Sequence, residues 1–193
     1  AQNPFWVVAN NGNEYKDDRI YGKIELNLEL LRGLNFINRL GGDFTNARQK
    51  SWNAVAVPRI GTWNDGNKSP EPGTYSEYNS YAGQIDYTAY LNADYQLTTD
   101  LRMTGMAGMN YNHRAGYGIN SYLYGLQKPG WYSLLNGADK PVTSSSIYLR
   151  RLIGALAQVD LSFRDWAFMT LSLRNDWSST LPKGKNSYFY PGV

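Results

Sequence analysis

The chain has 193 residues, no cysteine, a formal charge of +3, and 16 Tyr and 6 Trp set against a mean hydropathy of −0.52. Without Cys there is no disulfide framework and no thiolate metal site. The scattered Lys and Arg leave no nucleic-acid footprint, and no apolar run approaches the ~20 residues of a transmembrane helix. The length permits an ordinary buried core, but so aromatic and so polar a composition is more simply a membrane barrel wall. In such a wall lipid takes the apolar residues, the lumen takes the polar ones, and Tyr and Trp collect at the interfaces.

Ala1-Gln2-Asn3-Pro4 is not a signal peptide, which a secreted barrel needs, so the chain reads as mature or as a fragment. The first alternating runs predict strands over 20–30 and 34–44, broken at Leu31-Arg32-Gly33. A long excursion over 45–83 follows, rich in Gly, Asn, Ser, Pro and aromatics. Strands over 84–97 and 101–111 flank the break Thr98-Thr99-Asp100, and a second excursion covers 112–148. Strands over 149–163 and 167–177 flank Arg164-Asp165-Trp166, and a seventh begins near Tyr188-Phe189-Tyr190. The breaks centre on Arg32, Thr99 and Asp165, spaced by 67 and 66 residues. Short turns alternating with very long excursions match outer-membrane barrels, with their short periplasmic turns and long extracellular loops.

Period two assigns the faces. Ile24, Leu26, Leu28 and Leu30 turn to lipid, and Lys23, Glu25, Asn27 and Glu29 to the lumen. Ile85, Tyr87, Ala89, Leu91, Ala93, Tyr95 and Leu97 face out, as do Ile153, Ala155, Ala157, Val159, Leu161, Phe163, Met169, Leu171 and Leu173. Asp86, Asp94, Asp160 and Arg174 are among the residues that face in. The apolar faces carry no charge. All 8 Pro lie outside the predicted strand cores, as ladder hydrogen bonding requires, and Gly105, Gly108 and Gly154 inside strands mark bends or close approaches. A soluble sandwich also alternates, but its strands usually run only about 5–6 residues. The expected fold is therefore all-β: a transmembrane antiparallel β-barrel segment of six to seven strands.

No catalytic constellation emerges. His113, the single histidine, stands in Tyr111-Asn112-His113-Arg114 without partners at a recognisable spacing, and it reads as a loop residue near the interface. Asp17-Asp18 is two carboxylates, where a Ca²⁺ site needs about six to eight oxygens. Gly116-Tyr117-Gly118 and Gly41-Gly42 lack the spacing and context of a nucleotide fingerprint. No catalytic residue, metal site or cofactor is expected. The loop aromatics Trp52, Trp63, Tyr75, Tyr78, Tyr117, Tyr122, Tyr124, Trp131 and Tyr132 are the ligand-binding candidates, because sugar rings and peptides both dock on aromatic faces. The alternative is that they pack the loops against one another and the rim.

The C-terminal stretch Arg174-Asn175-Asp176-Trp177-Ser178-Ser179-Thr180-Leu181-Pro182-Lys183-Gly184-Lys185-Asn186-Ser187-Tyr188-Phe189-Tyr190-Pro191 closely resembles a signature of the SusC/RagA family, TonB-linked outer-membrane proteins of Bacteroidetes. Asn3-Pro4-Phe5-Trp6 resembles the family's segment before a barrel strand, and Arg19 to Asp43 its strand, short turn and strand. The resemblance extends end to end, with the long loops matching in character only. In the signature, Trp177 ends a strand, Ser178 to Pro182 turn the chain, and Tyr188-Phe189-Tyr190 restart it, an architectural role.

The resemblance implies a larger, 22-stranded, plugged barrel in the outer membrane of a Gram-negative bacterium. It implies import of oligosaccharides or peptides together with a SusD-like lipoprotein that closes as a lid. TonB would act through a plug and TonB box that this sequence does not contain, and family pairs often dimerise through their barrels. The whole of 1–193 then belongs to the barrel domain, with 45–83 and 112–148 as its long extracellular loops. Two other functions stay open at this point: a SusC-like scaffold that no longer transports, and a soluble sandwich that binds glycans.

Overall fold

The computed structural model describes residues 3–57, 61, 70–164 and 166–193. One short helix and seven strands follow in order: α1 (Pro4–Asn10), β1 (Gly12–Leu31), β2 (Leu34–Asn53), β3 (Thr74–Gln96), β4 (Leu101–Tyr124), β5 (Val142–Phe163), β6 (Ala167–Ser178) and β7 (Ser187–Gly192). Each strand pairs with the next in sequence, in a single sheet ordered β1-β2-β3-β4-β5-β6-β7. The strands thus form one meander, not two packed sheets. β5 and β6 pair antiparallel from Leu152↔Ser178 to Phe163↔Ala167, and β6 and β7 from Ser172↔Gly192 to Trp177↔Ser187.

The expected hairpins are present, but several strands are longer than the alternation indicated. β2 runs on through Asn53, β3 begins at Thr74, β4 runs to Tyr124 and β5 begins at Val142. Much of the sequence expected as excursion is therefore ladder. β1 to β5 have 20 to 24 residues each, well beyond the ~9–11 that a tilted strand needs to cross a bilayer. One proline also departs from expectation. Pro191 stands inside β7, opposite Leu173. It is tolerated because β7 ends the sheet among the described residues, and an edge strand can spare an N–H.

Two compact units divide the chain, and β1 to β5 each contribute to both. The first comprises Ala1–Arg19, Thr45–Ala82 and Gly116–Ile147; the second comprises Ile20–Phe44, Gly83–Ala115 and Tyr148–Val193.

The second unit is a pleated wall without a core. Every buried apolar side chain among the described residues (Ala47, Ala54, Tyr75, Leu123 and Leu126) belongs to the first unit. Ile24 is 74% exposed and Leu26 51%, and Leu28, Leu30, Leu91, Met169, Leu171 and Leu173 are exposed as well. A soluble monomer of this size does not leave so continuous an apolar surface uncovered. The opposite face is a polar lattice. Glu25 pairs with Arg39 at 2.8 Å, Asp94 with Arg102 at 2.6 Å, and Arg174 with Asp176 at 3.0 Å. Asp160 accepts from Thr170 at 2.6 Å, Asn110 donates to Thr88 at 2.8 Å, and Arg39 lies 5.6 Å from the Tyr90 ring centre. Of these, Glu25, Asp94, Asp160 and Arg174 carry the parity assigned to the lumen, and their partners share that face. Polar pairs also occur on the other face, where the Asn38 amide donates to Tyr87 Oη at 2.7 Å and the Asn175 amide to Ser187 Oγ at 2.9 Å.

The turns of this unit are tied to their neighbours. Gly33 turns the β1–β2 hairpin at φ +81°, and its carbonyl accepts from the Asp94 amide at 2.8 Å. Arg164 adopts φ +49°, rare for a residue with a Cβ, in the β5–β6 turn. Its amide donates to the Asp100 carbonyl at 2.8 Å and its guanidinium to the Asp100 carboxylate at 2.9 Å, which clips that turn to the β3–β4 turn. Asp165, the expected centre of this break, lies outside the described residues. Gly108 marks a close approach, since a Cβ there would collide with Tyr90 and the Ala89 carbonyl.

Candidate functional site

The first unit contains the hydrophobic core and most of the candidate aromatics. Asn3 caps α1, accepting from the Phe5 amide at 2.9 Å, with Pro4 in the first turn where its missing N–H costs nothing. The helix ends at Asn11, whose side chain accepts from the Ala54 amide at 2.9 Å and so ties the start of β1 to the end of β2.

Tyr75, Leu123 and Leu126 form the core, and Trp52, Val55, Tyr132 and Leu134 pack against it. Tyr75 is 3% exposed and Leu123 1%. The Tyr75 hydroxyl donates to Glu77 at 2.7 Å; burial first, and this carboxylate second, push its pKa up. Trp52 and Tyr132 meet at a 5.5 Å centroid distance, and Tyr132 Oη donates to the Asn10 carbonyl at 3.1 Å.

The connection from β4 to β5 is ordered by its backbone and by one buried amide. Gly125 and Leu126 donate to the carbonyls of Gly73 and Pro72 at 3.0 and 2.8 Å, and Leu126 bridges Gly137. Asn136 is 1% exposed. Its Oδ1 accepts from the Lys128 amide at 2.9 Å, and its Nδ2 donates to the carbonyls of Lys128 at 2.8 Å and of Trp131. A buried amide that meets its partners this way fixes a loop as a short piece of sheet would. Nothing in the sequence pattern distinguishes Asn136 from its polar neighbours.

The candidate aromatics divide by burial. Tyr75 is buried, and Trp52 and Tyr132 are half-buried against it. Tyr78, Tyr117, Tyr122, Tyr124 and Trp131 are exposed. Tyr117 stacks with Tyr81 at 5.9 Å between centroids. Tyr78 lies over Gly118, where a Cβ would stand 2.8 Å from its hydroxyl oxygen. Residues 117 and 118 are consecutive in β4, so these two contacts lie on opposite faces. Trp131 has the Lys128 ammonium 5.6 Å from its ring centre. Tyr124 also borders a polar cleft of about 200 Å³ lined by Asn11, Asn53, Ala54, Glu71, Pro72, Gly73 and Thr74. Trp63 lies outside the described residues.

The C-terminal signature residues bond one another and the neighbouring strands. Arg174 pairs with Asp176, and Ser178 Oγ and Thr180 Oγ1 bond each other at 2.8 Å as the chain leaves β6. The Ser178 amide donates to Asn186 at 2.9 Å. Ser179 is bound to Arg151 on both sides: its amide donates to the Arg151 carbonyl at 2.9 Å, and its hydroxyl accepts from the Arg151 amide at 2.8 Å. Pro182 accepts from the Lys185 amide at 3.0 Å as the chain returns towards β7, which carries Tyr188, Phe189 and Tyr190; Leu181 stands in the turn. His113 lies beside Tyr111, ring nitrogen to hydroxyl at 3.2 Å. Among the described residues no three His, Cys, Asp or Glu side chains gather as a metal site would require.

No family model and no curated protein matches the chain. Solved structures do. The chain superposes on a chain of the RagAB peptide importer in its open-open state with a TM-score of 0.85 and 16% identity, over 97% of this chain and 20% of that one. A structure of the RagAB peptide transporter gives 0.77 and 16%, over 92% and 19%. The importer's closed-closed state gives 0.75 and 17%, over the same shares. At these identities the likeness establishes the fold: the seven-stranded meander is built as part of that transporter chain is built. The chain spans about one fifth of the length of the proteins it matches.

Proposed function

We propose that the chain is a stretch of barrel wall from an outer-membrane importer of the SusC/RagA type in a Gram-negative bacterium of the Bacteroidetes. It works with a SusD-like lipoprotein as lid and draws energy from TonB through a plug and TonB box elsewhere in a longer protein. The observation that carries this reading is the second unit, one sheet with a bare apolar face and a hydrogen-bonded polar face, in a fold shared with part of a solved peptide importer. An uncovered apolar face is costly in water and favourable in lipid. Of the two cargo classes, peptide is favoured over oligosaccharide, since the similar structures are described as peptide transporters.

In this mechanism the regions 45–83 and 112–148 stand outside the cell. Trp52, Tyr75, Tyr132 and Asn136 hold them rigid, and Tyr78, Tyr117, Tyr122, Tyr124 and Trp131 offer ring faces to cargo or lid. The cargo is captured beneath the lid, and TonB-driven displacement of the plug opens the path past a wall of residues such as Asp86, Asp94, Asp160 and Arg174. The test is recovery of the full-length protein from detergent-solubilised native outer membrane, with mass spectrometry of what accompanies it. A near-stoichiometric SusD-like lipoprotein is expected. Recovery with assembly or secretion machinery and no such lid overturns the importer reading in favour of a scaffold. In the same full-length protein, replacing Tyr124 and Trp131 by Ala is expected to lower uptake of labelled peptides about fivefold, the loss of ~1 kcal/mol of ring contact.

A further inference from the structure

Among the described residues, the start of β5 is hydrogen-bonded along one edge. The β5–β6 ladder begins at Leu152↔Ser178, and Ser179 extends it by one step through the N–H and C=O of Arg151. Because a strand's backbone groups alternate between its edges, the odd residues before Arg151 present their N–H and C=O to the same side. Within the first unit these are Thr143, Ser145 and Ile147. Among the described residues β6 pairs no further towards the start of β5 than Leu152, and no turn or loop backbone bond reaches those groups from that side. The other edge is held by β4, with Ser121 and Thr143 hydroxyls 2.9 Å apart. Every residue from Val142 to Ile147 is exposed, Ile147 at 84%.

Free edges are normally defended by charge, Pro or a bulge, because they are templates for another strand. Val142-Thr143-Ser144-Ser145-Ser146-Ile147 carries no charge, no Pro and no Gly. Its hydroxyl side chains are too small to hinder an approaching backbone. The row of alternating donors and acceptors specifies its occupant: only an extended polypeptide offers the complementary row at the same spacing.

We propose that this edge docks an extended cargo peptide by strand addition, an inference that rests on the peptide-importer reading. Strand addition draws its affinity from main-chain hydrogen bonds and leaves side-chain preference to neighbouring pockets. It therefore suits an importer that must accept many sequences.

The probe is a tryptic digest of casein, offered to the full-length protein purified in detergent with whatever native partners remain bound; retained peptides are quantified by mass spectrometry. Ser145→Pro deletes a free-edge N–H and leaves the β4 ladder whole. It is expected to lower retention across all peptide sequences by about tenfold, as the loss of one or two main-chain hydrogen bonds implies. Retention equal to wild type in a Ser145→Pro protein that still migrates as a folded barrel overturns the proposal. A second arm leaves the protein untouched. The best-retained peptide is synthesised in two forms, N-methylated at alternate residues in opposite phase. One phase is expected to lose binding and the other to keep it; equal binding of both overturns the docking edge while leaving peptide import standing. If wild-type protein retains no peptide, the edge and the peptide reading fall together.

Discussion

The two units of this chain dispose of their apolar residues in different ways. The wall unit has apolar residues on one face, polar residues on the other and nothing buried between. The unit containing α1 and the long connections has a small conventional core around Tyr75, Leu123 and Leu126, with hydrogen bonds that fix its loops. A single meander of strands serves both. The lesson is that a ladder supplies backbone pairing anywhere, while the source of the hydrophobic term must be found locally: side-chain packing for one unit and, in the importer proposed above, lipid for the other.

The comparison breaks most visibly where a core residue is removed. Leu123→Ala is expected to cost about 2–5 kcal/mol of local stability, the range for a fully buried Leu. Hydrogen exchange of the full-length protein checks this: amides of the first unit should lose protection while those of β6 keep theirs. Loss spread equally over both would mean that the units are not separate in stability.

The wall unit answers to a different substitution. Leu26→Arg places a charge on the face read as lipid-facing, at an expected cost of about 2–4 kcal/mol near the midplane. Asn27→Arg, one residue along and on the other face, should cost far less. Unfolding of the full-length protein in lipid bilayers with urea measures both. Equal penalties would mean that the assignment of faces is wrong.

A third substitution sharpens the picture of the loops. Asn136→Ala removes the amide that serves three backbone groups of Lys128 and Trp131. Each buried group left unpaired costs about 1–3 kcal/mol, less whatever water recovers. The expected result is faster proteolysis of the 125–141 connection with little change in overall stability.

The parts of the fold that the sequence made legible follow this division. The wall was readable because one face is apolar and the other polar, so the chemistry alternates strictly, as in Ile24 to Leu30 or Val159 to Phe163. The predicted segments 20–30, 34–44, 84–97, 101–111, 149–163 and 167–177 all fall within the second unit. The continuations were not readable. In Thr45 to Asn53 both faces carry polar side chains and only Ala47 is buried, so the ladder rests on main-chain bonds that leave no trace in composition. Helix α1 is too short for periodicity, although Asn3-Pro4 is a fair start signal. Among the aromatics, the sequence supplied the set but not the division of Trp52, Tyr75 and Tyr132 from Tyr78, Tyr117, Tyr122, Tyr124 and Trp131. That division depends on which side chains Leu123 and Leu126 draw together from distant positions.

The smallest expected effect is the most informative about the lumen. Glu25 and Arg39 are 2.8 Å apart on the polar face, with side chains 36% and 46% exposed. An ion pair this wet is worth about 0.2–1 kcal/mol. A double-mutant cycle with Glu25→Gln and Arg39→Gln, read from unfolding of the full-length protein in bilayers, should therefore give a coupling below about 1 kcal/mol. That holds if water reaches this part of the wall in the assembled protein. A plug packed directly against Glu25 and Arg39 would exclude the water, and breaking one partner would then strand a buried charge at about 3–5 kcal/mol. The size of the coupling thus reports whether the polar face meets water or protein at this position. In the proposed importer, a small value would place the pair on a hydrated path for cargo, and a large one would make it part of the seat on which the plug rests.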